Sequence, residues 1–486
     1  MSSLKQKTVS GFTWSFIDNF ANQGIQFIVG IILARLLTPD EFGLIGMITI
    51  FIAISQSFID SGFSSALIRK NNCNENDYST VFLYNLGAGL ILYLILFFLA
   101  EPIGIFYNQP VLKILIRVLG LTLIIRSFTI IQSVLLTKRL DFKLQAKISI
   151  LSTFISGAIG IIMAYAGYGV WSLVIRSVTS AFLASLLLWL WNKWKPLLIF
   201  SKSSFKELFG FGSKLLLSGL LDTIYNNIYY LIIGKFFSAK ELGYFTRADI
   251  FKDMPSKNIS GVVSRVSYPV LSKLQDDKEA LKSGYRRLIR SVMFITFILM
   301  MGMAAVAEPL IISLIGYKWL PSVVYLQMLC FAGMLYPLHA LNLNMLNVQG
   351  RSDLFLKLEI IKKIIAVPVI MAGIFWGIKA MIGGMIILSF IAYYLNSYYS
   401  GRLIDYPMKE QILDILPSFL IAVLMGLIVY FTGIILQTGN ILKLLIQLAT
   451  GSLIVFVICE IIKFGDYLYI KEIVIDKIKI YFNGRK

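Results

Sequence analysis

The chain has 486 residues, of which 57% are hydrophobic and only 15% are charged, and its mean hydropathy is +0.78. A soluble domain averages about 45–50% apolar and about 25% charged residues, so the composition excludes a soluble globular protein and predicts a polytopic helical membrane protein. The net charge of +19 would suggest nucleic acid in a soluble protein. Here we attribute it to cytoplasmic loops that face anionic headgroups, and no nucleic-acid partner is expected.

The apolar segments predict an all-α membrane protein with fourteen transmembrane helices. They cover about residues 11–36, 43–66, 79–100, 111–135, 147–166, 169–192, 209–235, 243–271, 289–312, 321–347, 357–376, 378–400, 411–435 and 440–463. With the N-terminus inside, 30 of the 45 Lys and Arg residues fall on the cytoplasmic side and 7 fall outside. This asymmetry predicts that both termini are cytoplasmic.

A repeat with an offset near 200 residues relates two halves of the chain. ARLLTPDEFG at 34–43 aligns with GKFFSAKELG at 234–243, and AEP at 100–102 aligns with AEP at 307–309. Each half then holds six spans, so the repeat is parallel and predicts two six-helix lobes around a central cavity. The predicted divisions are an N-lobe at 1–195, a cytoplasmic linker at 196–208, a C-lobe at 209–401, two extra helices at 402–464 and a basic cytoplasmic tail at 465–486.

Span eight is long enough to cross a membrane, yet it is rich in charge. It contains Arg247, Asp249, Lys252, Asp253, Lys257 and Arg265. Charges in hydrocarbon cost about 2.5–3.5 kcal/mol each, so they usually face a bundle interior or a watery cavity. Two compatible interpretations stay open: a cationic wall for an anionic substrate, and local pairing of Asp249 with Lys252 and of Asp253 with Lys257. Pro255 is expected to kink or break this helix.

A polar stripe recurs in spans one and seven. Asp18, Asn22 and Gln26 lie on one helical face, and their counterparts at the repeat offset are Ser218, Asp222 and Asn226. The stripes indicate either a shared polar interior or hydrogen bonding between helices. The substrate-binding candidates are Arg247, Lys252, Lys257, Arg265, Arg35, Asn22, Gln26, Asp222 and Asn226. The candidates for ion coupling are Asp18, Asp60, Asp249 and Asp253.

The sequence contains no nucleotide-binding loop, and its cysteines, Cys73, Cys330 and Cys459, are isolated. We therefore predict no catalytic residue, no metal site and no cofactor, and we do not expect an enzyme. The longest loop, about 272–289, is expected to form a short amphipathic cytoplasmic helix. The single histidine, His339, is assigned either to proton coupling or to packing.

Four segments carry a resemblance to a known family: LARLLTPDEFGLIGM at 33–47, DSGFSSALIRK at 60–70, the stretch 241–277, and LNVQGRSD at 346–353. Together they resemble Wzx-type polysaccharide flippases, in the superfamily that also contains multidrug extrusion transporters and lipid II flippases. The resemblance covers most of residues 1–401. It implies that a polyprenyl-diphosphate-linked oligosaccharide crosses the bacterial cytoplasmic (inner) membrane by alternating access, for O-antigen, exopolysaccharide or capsule synthesis.

The resemblance also implies coupling to an ion gradient, of Na⁺ or H⁺, or to the membrane potential. It further implies contact with membrane lipids and partnership with a polysaccharide polymerase and glycosyltransferases. Lipid II fits less well, because lipid II flippases carry arginines within the first span and this chain has no base between Lys7 and Arg35. A multidrug antiporter, an integral-membrane glycosyltransferase or polymerase, and a non-transporting scaffold remain as alternatives.

Overall fold

The computed structural model describes the backbone of residues 2–483 and the side chains of residues 11–476, except those at positions 12, 266, 352 and 474. The predicted cytoplasmic bases Lys5 and Lys7, and those of the tail beyond 476, lie outside the described side chains. All regular structure in the described part is helical, which confirms the expected class. Eleven of its helical segments are long and apolar enough to cross a membrane, whereas the count of fourteen spans stays a prediction.

The chain divides into two compact units, residues 1–243 and 244–486. The helices of the first unit are α1 (Ser2–Leu36), α2 (Pro39–Asp60), α3 (Phe63–Arg69), α4 (Glu75–Phe106), α5 (Leu112–Ser127), α6 (Ile130–Lys138), α7 (Phe142–Tyr165), α8 (Trp171–Asn192) and α9 (Lys202–Phe236). Within this unit α1 packs along α7, α4 along α5, and α9 along α2. The lobes predicted at 1–195 and 209–401 stay a prediction.

A long helix, α10 (Ala239–Ser272), begins in the last residues of the first unit and continues into the second. The remaining helices are α11 (Lys278–Ala305), α12 (Ala307–Ile315), α13 (Ser322–Gly333), α14 (Tyr336–Val348), α15 (Ser352–Trp376), α16 (Ile378–Leu403), α17 (Met408–Ile435), α18 (Asn440–Ile461) and α19 (Gly465–Asn483). Within the second unit α11 packs along α17, α15 along α16, and α17 along α18. The segment predicted as a basic tail is therefore largely helical.

Helix starts follow from local capping chemistry. At the start of α2, the backbone amide of Thr38 donates to the Glu41 carboxylate at 2.6 Å, and Pro39 occupies the first helical position. At the start of α11, the Asp277 carboxylate accepts the Ala280 amide at 3.0 Å. The expectation of a separate amphipathic helix at 272–289 is therefore wrong, because α11 starts directly after Asp277 and continues into the apolar segment without interruption.

Several predicted spans are broken rather than continuous. Span two stops at Asp60 because Ser61 and Gly62 adopt positive φ angles of 45° and 71°. A Cβ atom at Gly62 would lie 2.5 Å from the carbonyl oxygen of Gly212, so this close approach requires glycine. Spans four, nine and ten break between α5 and α6, α11 and α12, and α13 and α14. The spans were predicted from the average apolar character of each segment, and that average does not change where a helix breaks.

The opposite outcome holds for α10, which is helical on both sides of Pro255 and is not broken there. The Ser256 hydroxyl donates to the carbonyl of Lys252 at 3.0 Å, and the side-chain amide of Asn258 donates to the carbonyl of Met254 at 2.6 Å. Polar side chains therefore add hydrogen bonds to carbonyl groups in the turns on both sides of the proline.

Candidate functional site

The centre of α10 carries four charged side chains, Asp249, Lys252, Asp253 and Lys257, which we call the α10 cluster. The Lys252 ammonium lies 2.7 Å from a carboxylate oxygen of Asp249 and 2.7 Å from one of Asp253. Lys257 forms a further short ion pair with Asp253. Both local pairs expected from the sequence are confirmed, and the cluster is neutral overall. Two of the proposed coupling carboxylates are therefore held by lysines of their own helix.

Lys252 is the enclosed member of the cluster. Its side chain is only 14% exposed, and a Cβ atom at Gly333 on α13 would lie 2.8 Å from its Cδ atom. A glycine at this position lets α13 approach the aliphatic stem of the lysine. Lys252 therefore holds two carboxylates and packs against a neighbouring helix, which makes it a structural as well as an electrostatic element of α10.

The outer bases of α10 are more accessible. The Lys257 side chain is 57% exposed, and Arg265, two turns further along the helix, is also exposed. Among the described side chains, none forms an ion pair with Arg265. Arg247, near the other end of the helix, is half-buried. From the α10 cluster to the end of the helix, the accessible positive charge of α10 therefore lies at Lys257 and Arg265, while Lys240 is exposed at the start of the helix.

The predicted polar face of α1 is part of a hydrogen-bonded cluster with α7. The Asn22 side-chain amide donates to the Asp18 carboxylate at 2.5 Å and to the Ser149 hydroxyl at 2.7 Å. The buried Oδ1 atom of Asn22 accepts no hydrogen bond from the described residues. The Asn22 NH2 group thus lies between the Asp18 carboxylate and the Ser149 hydroxyl, and the amide oxygen remains as a buried acceptor.

Sequence reasoning placed Asp18 and Asn22 on one face but missed Ser149. A signal for it exists in α7, where Ser149, Ser152 and Ser156 recur at helical spacing and the last two are buried. Such a stripe of small hydroxyl residues is typical of a face that packs closely on another helix.

The other predicted polar residues of the first unit differ in their surroundings. Asp222 and Asn226 are exposed on α9, as is Gln26 on α1. Between Asp222 and Asn226, the Thr223 hydroxyl lies 3.1 Å from that of Ser57 and links α9 to α2. A contact between helices thus lies beside the α9 stripe, and the shared polar interior stays a prediction.

Two further candidates lie at helix ends. Arg35 is exposed in the last turn of α1. Asp60 ends α2, and its carboxylate accepts the Ser64 amide at 3.2 Å and the Ser64 hydroxyl at 2.5 Å. Asp60 therefore caps α3 across the break at Ser61, a structural task that competes with a role in ion coupling.

The two repeat-related motifs at 34–43 and 234–243 contact each other reciprocally. A Cβ atom at Gly43 would lie 1.6 Å from the carbonyl oxygen of Ala239, and one at Gly243 would lie 1.9 Å from that of Pro39. Each glycine thus allows the backbone of the matching helix start to approach. The repeat alignment had paired these glycines without indicating that their motifs touch.

A series of ion pairs joins α11 to neighbouring elements, and we call it the inter-helix series. It pairs Lys278 with Asp405 (3.9 Å), Lys282 with Glu410 (3.1 Å), Arg286 with Asp414 (2.5 Å) and Arg290 with Asp466 (2.9 Å). The bases recur at every fourth residue on one face of α11. The acids lie in the turn before α17, on α17 and at the start of α19. Sequence reasoning assigned these bases only to a cytoplasmic surface.

Two further polar side chains, His339 and Arg351, have identified partners. The ring nitrogen Nε2 of His339 lies 3.2 Å from the Ser389 hydroxyl on α16, an interaction compatible with packing. Outside the membrane-length segments, Arg351 forms a two-pronged contact with Asp353, which lowers the pKa of this carboxyl to about 2. Among the described residues, no group of three or more His, Cys, Asp or Glu side chains is placed to hold a metal ion.

Comparisons with known proteins agree with the resemblance of the sequence to polysaccharide flippases. A family described as "Polysaccharide biosynthesis protein" matches residues 32–324. Teichuronic acid biosynthesis protein TuaB of Bacillus subtilis (strain 168) is 27% identical over 461 residues, which cover 93% of this chain and 95% of that protein. Lipopolysaccharide biosynthesis protein WzxC of Escherichia coli (strain K12) is 24% identical over 373 residues, 76% of each chain.

Among solved structures, lipid II flippase MurJ in an inward closed conformation has a TM-score of 0.77 to this protein at 16% identity, over 93% of this chain and 98% of that chain. At this identity the similarity concerns the fold alone. The family match covers more than half of the sequence and includes α2, the whole of α10 and α11. The chain therefore belongs to the polysaccharide biosynthesis protein family.

Proposed function

We propose that this protein is a flippase that moves a polyprenyl-diphosphate-linked oligosaccharide from the inner to the outer leaflet of the bacterial cytoplasmic membrane. The observation that carries the proposal is family membership combined with α10, a helix of membrane length with charged side chains along it. Each such charge would cost about 2.5–3.5 kcal/mol in hydrocarbon. We therefore infer that these side chains face a hydrated path for an anion. The names of TuaB and WzxC connect those relatives to the biosynthesis of teichuronic acid and of lipopolysaccharide, and we infer a substrate of the same broad class, a lipid-linked glycan.

The diphosphate is the group that needs protein contacts most, because an unpaired anion is prohibitively costly in hydrocarbon. Lys257 and Arg265 are assigned to it because their side chains are exposed. Their charged donors replace water around phosphate oxygens, and a guanidinium can do so with two parallel bonds. Arg247 and Arg35 stay candidates for the same anion. Lys252 is assigned a positioning role, because two carboxylates already hold its ammonium group.

The sugars are assigned to the polar residues of α1 and α9. Gln26, Asp222 and Asn226 are exposed, and Asn22 is half-buried beside Asp18. Amide and carboxylate groups provide the donors and acceptors that sugar hydroxyls require. The lipid tail is proposed to remain in the bilayer throughout, so the protein moves only the polar part of the substrate through its interior.

Coupling to Na⁺ or H⁺ is assigned to Asp18. Its carboxylate accepts a hydrogen bond from the Asn22 amide, which also donates to the Ser149 hydroxyl, so a proton or cation that binds Asp18 would compete with these contacts. The other candidates are engaged elsewhere: Asp249 and Asp253 pair with lysines, and Asp60 caps a helix. Asp18→Asn is expected to uncouple transport from the ion gradient while leaving binding of the lipid-linked glycan intact.

We propose fourteen spans in two parallel six-helix lobes, with two extra helices and both termini in the cytoplasm. Two observations support the repeat. When the alignment of the two AEP motifs is extended along the chain, the break after α5 and the break after α13 fall within one residue of each other. The reciprocal contact of Gly43 and Gly243 is that expected of segments related by a two-fold axis.

The proposal is tested by complementation in a strain that lacks the gene. Lys257→Gln with Arg265→Gln should abolish surface polysaccharide while the amount of protein in the membrane stays unchanged. Lys195→Gln with Lys202→Gln, at two exposed bases of the first unit, removes the same charge and should leave export normal. Normal export by the first variant contradicts the assignment. Drug resistance on overexpression without any glycan phenotype would favour the antiporter. Polymerase and glycosyltransferase partners are proposed from the expected pathway context.

A further inference from the structure

A groove of about 470 Å³ lies where α16 ends and α17 begins. It is lined on one side by Tyr394, Tyr398 and Arg402 of α16, and on the other by Met408 and Lys409, the first two residues of α17. Both helices are apolar segments of membrane length. The connection between them therefore lies at the level where a bilayer gives way to water.

The two bases of the groove differ from the other bases around it. Lys278, Lys282 and Arg286 each form an ion pair with an acid of the inter-helix series. In the described part of the chain, by contrast, neither Arg402 nor Lys409 takes part in an ion pair. Asp405 also lines the groove, but it already interacts with Lys278. Two bases and one acid therefore line the groove, which gives it a net positive charge.

The walls of the groove are held in place by packing. The Arg402 guanidinium stacks over the Tyr398 ring at 4.2 Å, an arrangement that orients the charged group. A Cβ atom at Gly401 would lie 2.6 Å from the Tyr406 carbonyl oxygen, so the turn between α16 and α17 is tight. The Tyr406 ring is fully buried, and its hydroxyl donates to Asp414 at 2.6 Å.

The exposed aromatic residues indicate what kind of molecule fits. The Tyr394 side chain is 54% exposed and Tyr398 is 39% exposed, at the end of an apolar helix. Tyrosine rings at this depth contact the boundary between acyl chains and headgroups. Basic pockets between membrane helices bind lipid headgroups, and the N-terminal end of α17 adds a partial positive charge beside the groove.

We propose that this groove binds the phosphate group of an anionic membrane lipid, with Arg402 and Lys409 contacting the phosphate and the two tyrosines contacting the glycerol and upper acyl region. The lipid-borne phosphate belongs either to a bulk phospholipid such as phosphatidylglycerol or to a polyprenyl phosphate carrier. This site is separate from the bases of α10 and does not depend on the proposed transport function.

The test is lipid binding to the purified full chain, measured by native mass spectrometry with short-chain phosphatidylglycerol, short-chain phosphatidylcholine and a polyprenyl phosphate. The wild type should bind phosphatidylglycerol or the polyprenyl phosphate several-fold more tightly than phosphatidylcholine. Arg402→Gln with Lys409→Gln should weaken binding of the preferred lipid about tenfold, a change of about 1.4 kcal/mol, without affecting phosphatidylcholine. Which of the two anionic lipids binds more tightly identifies the source of the phosphate.

The control variant Lys195→Gln with Lys202→Gln removes equal charge elsewhere and should bind like the wild type. Lys409→Gln alone, at an exposed side chain, and Tyr398→Leu should each weaken binding about threefold, so the site can be tested even if the double variant folds poorly. Equal binding of phosphatidylglycerol, polyprenyl phosphate and phosphatidylcholine by the wild type would overturn the proposal. So would an equal loss in the groove variants and the control.

Discussion

The α10 cluster and the inter-helix series use the same residue types in opposite ways. On α10 the acids that pair with Lys252 and Lys257 lie three or four residues away or next in sequence, on the same helix. On α11 the bases pair with acids of other elements, such as Asp414 on α17 and Asp466 on α19. One set neutralises its own helix, and the other joins separate elements.

This difference has a mechanical consequence. A helix whose charges are paired internally keeps those pairs when it shifts against its neighbours, so movement exposes no new unpaired charge. A helix paired to other elements loses its ion pairs when it moves, and each buried loss is costly. We therefore expect α10 to be the mobile element during transport, and α11 to remain attached to the C-terminal helices α17 and α19.

The largest effect is expected from Lys252→Met. The substitution leaves the Asp249 and Asp253 carboxylates close together without their shared cation, in a place where the lysine side chain is only 14% exposed. Removing one partner of a buried ion pair costs about 3 kcal/mol or more, so the thermal midpoint of the purified protein should fall clearly.

The matched variant Lys257→Met removes the exposed lysine of the same cluster and should change the midpoint little. Adding Asp249→Asn and Asp253→Asn to Lys252→Met removes the uncompensated charges and should restore stability. A Lys252→Met protein as stable as the wild type would show that Lys252 is not the structural centre of the α10 cluster.

An intermediate effect is expected from Asp414→Asn. The Asp414 side chain is 8% exposed and accepts from both Arg286 and Tyr406, and hydrogen bonds to charged groups contribute about 2 kcal/mol. Hydrogen exchange in the first turns of α17 should become faster while exchange in α10 stays unchanged. Asp405→Asn, at an exposed carboxylate 3.9 Å from its partner, provides the control and should have almost no effect. Faster exchange in α10 alone would contradict the assignment of roles.

The smallest effect is expected from reversing a pair of the inter-helix series. Lys282→Glu places like charges opposite each other at Glu410, and for a partly exposed pair this should cost about 0.5–1 kcal/mol. Glu410→Lys in the same protein restores opposite charges and should recover the loss. A double variant no more stable than Lys282→Glu alone would indicate that the pair does not join the two helices.

The sequence was sufficient to predict contacts within one helix, but it could not predict contacts between helices that are distant in the chain. It predicted the pairs of Asp249 with Lys252 and of Asp253 with Lys257, because helical spacing alone brings these side chains together. It could not assign partners to Arg286 or Arg290, because the partners lie on helices distant in sequence. The helix break after α5 was also missed, since the residues around it include neither glycine nor proline and the apolar pattern continues through it.

For the candidate site, the sequence identified the polar face of Asp18 and Asn22 because a regular i, i+4 spacing marks one side of a helix. Ser149 was missed because serine is common on packed helix faces and gains meaning only from the Asn22 amide beside it. The same limit applies to the groove at Arg402, since only the folded chain shows that this side chain forms no ion pair with the described residues.

The most direct test of the central claim is equilibrium binding of a polyprenyl-diphosphate-linked oligosaccharide to the purified protein. We predict that Lys257→Gln with Arg265→Gln lowers the affinity at least about tenfold with an unchanged thermal midpoint, whereas Lys195→Gln with Lys202→Gln binds like the wild type. Equal affinity of the α10 variant and the wild type would contradict the claim that the accessible bases of α10 hold the diphosphate.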